Sequence, residues 1–211
     1  MALREHRTGA KRSGSYSSVM DLVEKIRERA LRDADESGLA RCATTSEVTE
    51  TERHLGFGIH PLQRRLLMEV ADGGFGPGPL GIYGVRAAGR DAEMPNCLSA
   101  WRKLGGSDPS LMPAHTVPFS DLGCGCWILV DASSPSGAVR YTDSRGIFEL
   151  EQGLSELLEA WANGREIHDF LYDATRAPVR KGINPFTREP IELPGQGHPL
   201  GRLILEWPEQ T

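Results

Sequence analysis

The five consecutive residues Cys126-Trp127-Ile128-Leu129-Val130 are all apolar. Successive side chains of a strand point to opposite faces, so such a run is stable only where both faces of a sheet are covered. It is too short for a buried helix of ordinary length. The reading is a strand over 126–131, set in the middle of a sheet. A second strand is expected over 138–143, joined to the first across the turn-forming run Ser133-Ser134-Pro135-Ser136-Gly137. Shorter strands are expected over 80–85, 117–119 and 203–205.

Around these strands the period changes to that of helices. Residues 18–31 place Val19, Leu22, Val23, Ile26 and Ala30 on one face, with Ser18 read as the N-cap. Thr44 and Glu47 have capping-box spacing, and Gly56 is placed to end the helix that they start. Pro61 opens the next helix, with Leu62, Leu66, Leu67 and Val70 inward and Asp72-Gly73 at its exit. A helix is expected near 97–104. The clearest one covers 150–163, with Leu154, Leu157, Leu158 and Trp161 at i, i+3, i+4 and i+7 and Gly164 as the stop. A further turn or two is expected within 166–173. Strands and helices in this order define an α+β class, a mainly antiparallel sheet flanked by helices.

Composition removes several function classes. The chain has 211 residues and a net charge of −5, against the basic face that direct nucleic-acid binding needs. No run approaches the roughly 18 apolar residues of a membrane span. The first 17 residues carry Arg4, Arg7, Lys11 and Arg12 against Glu5, and no apolar stretch follows them. They are read as a disordered basic tail ahead of one domain over 18–211. With no export signal, the four cysteines fit reduced thiols in the cytoplasm.

Two segments carry a resemblance. The first is Glu52-Arg53-His54-Leu55-Gly56-Phe57, then Ile59-His60-Pro61, then Leu66 to Gly78 with its Asp72-Gly73-Gly74-Phe75-Gly76-Pro77-Gly78 run. The second is Asp121-Leu122-Gly123-Cys124-Gly125-Cys126 leading into Val130-Asp131, and the stretch from Phe148 to Trp161 is similar to the closing helix of the same family. In this order they resemble the SUKH superfamily of Smi/Knr-like regulators and bacterial immunity proteins. The resemblance spans about residues 45–163 and leaves 164–211 as a C-terminal extension. His60 departs from it, standing where the family usually has an apolar residue.

The resemblance implies a cytosolic immunity protein that binds a toxin stoichiometrically, and an acidic body suits a basic toxin such as a nuclease. The alternative is an intracellular regulatory or scaffold protein with no toxin partner.

Reactive chemistry finds little support. The glycines of 73–78 follow a helix and lack the Gly-Lys-Ser/Thr ending of a phosphate loop. They read instead as turn formers, with Gly73 or Gly74 at positive φ. Cys124 and Cys126 are too close for a zinc pair and read as small buried residues sharing a face with Ile128 and Val130. The six histidines form no metal or nucleophile motif. Glu47/Glu50 and Glu156/Glu159 read as solvated helix faces. Trp127 and Trp161 read as core residues, Trp101 and Trp207 as surface ones. The residues therefore imply no enzyme, cofactor or metal. A partner surface is expected on 72–96, with Phe75 and Tyr83 as aromatic anchors inside a rim of Asp72, Asp91 and Glu93.

Overall fold

The computed structural model describes residues 15–36, 38–86, 96–123, 125–143, 145–173, 180–183, 190–193 and 198–207. Helix α1 (Ser15–Asp33) buries Leu22, Val23, Ile26 and Ala30 of the expected stripe. It begins before Ser18, so Ser18 is a helix residue and not the cap. Helix α2 (Thr45–Leu55) has the expected capping box, with the Glu47 N–H donating to the Thr44 hydroxyl and the Thr44 N–H donating to the Glu47 carboxylate at 2.8 Å. Gly56 ends it at φ 81°.

Helix α3 (Pro61–Glu69) follows across Gly56–Ile59, and α4 (Cys97–Lys103) is capped by Asn96, which accepts from the Ser99 N–H at 2.8 Å.

The main sheet holds β1 (Thr116–Gly123), β2 (Cys126–Asp131), β3 (Ala138–Asp143), β4 (Gly146–Gly153) and β9 (Arg202–Glu206), in that spatial order and antiparallel throughout. Helices α5 (Leu154–Ala162) and α6 (Ile167–Leu171) lie between β4 and the short strands β5 (Tyr172–Asp173), β6 (Arg180–Ile183), β7 (Pro190–Leu193) and β8 (His198–Pro199). These short strands form two small sheets, β5 with β8 and β6 with β7. The class is α+β. Among the described residues no helix is long and apolar enough to cross a membrane.

Strand β2 is an interior strand, although β3 holds the centre. Both of its faces are covered, as its composition requires. Ile128 and Val130 join the main core with Val139, Tyr141, Phe148 and the helices, while Leu129 joins Met112 and Ile147 in a smaller cluster on the opposite face. Trp101, Trp127 and Trp207 flank that smaller cluster half-buried, so the division into core and surface tryptophans holds only for buried Trp161.

Several elements differ from expectation, the short strands β5 to β8 among them. Residues 146–153 are strand, and α5 starts only at Leu154. Leu150 lies four residues before Leu154 and so satisfies the helical period, yet Gly153 is extended at φ −93°, ψ −176°. Over 80–85 there is no strand, only a single bridge from Ile82 to Ser120. Strand β1 runs longer than 117–119.

Strand β9 forms one edge of the sheet. A register shift against β4 leaves Ile204 unmatched between Leu203 and Leu205, and exposed Arg202 and Glu206 stand at its ends. A bulge and terminal charges are devices that discourage edge-to-edge pairing.

Gln63 is fully buried on α3 among Leu62, Leu66 and Leu67, and neither its amide oxygen nor its nitrogen has a hydrogen-bond partner among the described residues. An unpaired buried amide costs about 1–3 kcal/mol. Gln63→Met keeps the shape and removes the polar atoms, so it should raise the unfolding free energy by about 1–2 kcal/mol. Urea denaturation followed by tryptophan fluorescence measures this directly; a loss of stability would contradict it.

Candidate functional site

The segment from Asp72 to Arg86 folds back on itself and then onto β1. The Gly74 N–H donates to Ile82 O at 3.0 Å, the Ile82 N–H to Phe75 O at 2.6 Å, and the Tyr83 N–H to Phe119 O at 2.8 Å. The buried Ser120 hydroxyl lies 2.6 Å from Pro77 O and 2.9 Å from Gly81 O, pinning the far turn. Both Gly73 and Gly74 take positive φ, at 84° and 77°.

Asp72 anchors the return. Its side chain, 1% exposed, accepts from the Val85 N–H at 2.7 Å, the Arg86 N–H at 3.2 Å and the Arg86 Nε at 2.8 Å. Arg86 in turn approaches Arg41 O and the Glu47 carboxylate. The bond from Arg41, reinforced by the Thr44 N–H, holds the Glu47 carboxyl down at about 2. Glu47 is thus a helix cap and ion-pair partner, not half of an acid/base couple. Glu156 does the equivalent work at α5, accepting from the Gly153 N–H at 3.1 Å.

The glycine segment forms one wall of a solvent-open groove of about 1080 Å³. The other walls are the end of α1, residues 34–35 and 38–41 of the connection that follows it, and Trp161 with the residues just after α5. The groove's cations are engaged. Arg29 pairs with Asp33 at 2.8 Å and lies over the Trp161 ring, Arg41 pairs with Glu47, and Arg86 pairs with Asp72. Arg165 donates to Asp169 O at 3.2 Å and sits 5.9 Å from the Phe170 ring centre. Leu39 and Ala40 contribute a stretch of wall with no helix, turn or bend. Such a groove selects by shape and by mixed polar contacts, not by a field of one sign.

The expected partner surface is not formed in the way its residues suggested. Phe75 and Tyr83 are each 5% exposed, and Asp72 is buried as a structural anchor. Phe75 packs in the main core, so it and Tyr83 do not form an exposed aromatic patch. Asp91 and Glu93 lie outside the described residues. The groove residues Arg29, Leu39, Arg41, Arg86 and Trp161 come from distant segments, and no local pattern in the sequence marks them.

The thiols are placed for structure. Burial pushes the Cys97 thiol up to about 12, and the Cys42 thiol lies 3.4 Å from Val70 O. Cys126 is half-buried at the start of β2, while Cys124 lies outside the described residues. Among the described residues no group of three or more His, Cys, Asp or Glu is placed to hold a metal ion.

The fold and groove define an α+β protein with a five-stranded antiparallel sheet and, among the described residues, an open recess beside a hydrogen-bonded glycine segment. No protein-family model matches the chain, and no curated protein matches it.

Proposed function

We propose that this chain is a cytosolic protein-binding module, not an enzyme, that neutralises a bacterial toxin by stoichiometric binding, and that the groove receives a projecting segment of that toxin. The groove carries the reading. At about 1080 Å³ it lies at the upper limit of small-molecule sites and opens to solvent, which suits a segment of another protein. Its glycine wall is braced by Asp72 and Ser120, so little ordering cost accompanies binding. The toxin itself is suggested by the SUKH resemblance of 45–163, and a net charge of −5 favours encounter with a basic partner.

A toxin gene is expected beside the gene for this chain, and the test is co-expression of the two in a sensitive host, together with light scattering of the purified mixture. Growth should be restored and a complex of fixed stoichiometry should form. Ala40 is exposed on the groove wall, so Ala40→Arg should weaken the complex at least tenfold without moving the melting temperature. No rescue and no complex would overturn the proposal, and an unchanged affinity in Ala40→Arg would exclude the groove.

A further inference from the structure

His60 stands at a junction of three elements. It is the N-cap of α3, where its Nδ1 accepts from the Leu62 N–H at 3.3 Å. Its Nε2 lies 3.4 Å from Pro135 O in the turn between β2 and β3. An acceptor at Nδ1 and a carbonyl beside Nε2 together select the neutral tautomer protonated at Nε2. The ring is pressed against Gly137, where a Cβ would come within 3.0 Å of it, and the residue is only 7% exposed. The same turn holds the start of α5, because Ser136 O and Gly137 O both accept from the Leu154 N–H, at 3.1 and 3.0 Å.

We propose that His60 is an acid-sensitive latch on α3: neutral, it caps the α3 N-terminus while bound to the β2–β3 turn, and protonated, it keeps Nε2–H on the Pro135 carbonyl and lets go of the Leu62 N–H. Protonation places a hydrogen on Nδ1, directly opposite the Leu62 N–H, so the cap loses its acceptor and two donors face each other. The new charge would sit in a buried site.

The charged groups on the surrounding elements are already committed. Asp131 at the end of β2 accepts from Arg140 at 2.7 Å and from Ser133. Glu52 of α2 pairs with Arg64 of α3 at 2.7 Å. Glu156 of α5 caps Gly153. Burial is the largest influence and holds the His60 pKa below its usual value, against the bond to the Pro135 carbonyl and the more distant Asp131, which both favour the charged ring.

The direction of the pH dependence follows. With the folded value depressed, the folded protein binds fewer protons than the unfolded chain at mildly acid pH. The latch is therefore fully closed above the ordinary histidine value of about 6.5 and is lost as pH falls through the folded value.

Amide hydrogen exchange of the full chain between pH 7.5 and 5.0, corrected for intrinsic rates, reads the latch. The opening equilibrium at the Leu62 amide should rise by up to about tenfold per pH unit below about 6.5, while Gly137 in the β2–β3 turn and Leu158 in α5 stay protected. His60→Asn retains a good cap and cannot titrate, so its Leu62 exchange should be flat over the same range. In the unaltered chain, the imidazole proton resonances of His60 should titrate below 6.5 with the same midpoint as the exchange. Leu62 protection independent of pH, a midpoint at or above 6.5, or an equal pH response in His60→Asn would each overturn the latch.

Discussion

Asp72→Ala should destabilise the protein by about 3–5 kcal/mol, the usual cost of removing one partner from a buried ion pair. The side chain is 1% exposed and holds two backbone N–H groups and the Arg86 guanidinium. Its loss leaves the Val85 and Arg86 amides without acceptors and Arg86 without its nearest counter-charge. Asp72→Asn keeps an acceptor oxygen for Val85 and should cost less. Adding Arg86→Ala to Asp72→Ala should recover part of the loss, because the stranded cation is removed with its partner. Chemical denaturation of the unaltered chain, Asp72→Ala, Arg86→Ala and the double variant measures the cycle, with Asp72→Asn compared beside it. A loss under about 1 kcal/mol for Asp72→Ala would mean that the glycine segment does not depend on this anchor.

Gly73 and Gly74 have nearly the same backbone conformation, yet alanine should distinguish them sharply. Both lie in the left-handed region, where a Cβ costs about 1–2 kcal/mol. At Gly74 a Cβ meets nothing within 4 Å, so Gly74→Ala should cost that strain alone. At Gly73 it would lie 2.5 Å from the Gly84 N and 2.8 Å from Ile82 O, which are backbone atoms in the returning arm of the segment. Overpacking of this kind adds about 1–3 kcal/mol, so Gly73→Ala should lose about 3 kcal/mol in all. The same displacement should loosen the groove wall and weaken partner binding beyond what lost stability explains. Equal melting temperatures for the two variants would refute the close approach of Gly73 to Gly84.

The contrast between these two glycines shows where sequence reading stops. A glycine pair after a helix announces a left-handed exit, and that much follows from φ alone. Which glycine is irreplaceable depends on Gly84, eleven positions further on, arriving within contact distance. His60 behaves in the same way. Its place before Pro61 marks a helix start, but its partner Pro135 becomes a neighbour only when the sheet is assembled.

Features decided within a few residues were legible in advance. The Thr44–Glu47 box, the Gly56 stop, the Leu154 to Trp161 stripe and the strands 126–131 and 138–143 each rest on contacts between near neighbours or on a simple period. The boundary at Gly153 was not legible, because Leu150 satisfies the period of both strand and helix.

The partner surface failed for a different reason. Phe75 and Tyr83 look like anchors in a glycine-rich loop, but their exposure depends on where that loop closes. It closes inward, drawn by the ladder from Ile82 to Phe75 and from Tyr83 to Phe119 and held by Asp72. The groove lies beyond local reading altogether. It is the space left between α1, residues 34–35 and 38–41, the glycine segment and the end of α5, and no one of these segments encodes it. Residues far apart in the chain define it because burial of the shared core, not any local hydrogen bond, sets the distance between its walls.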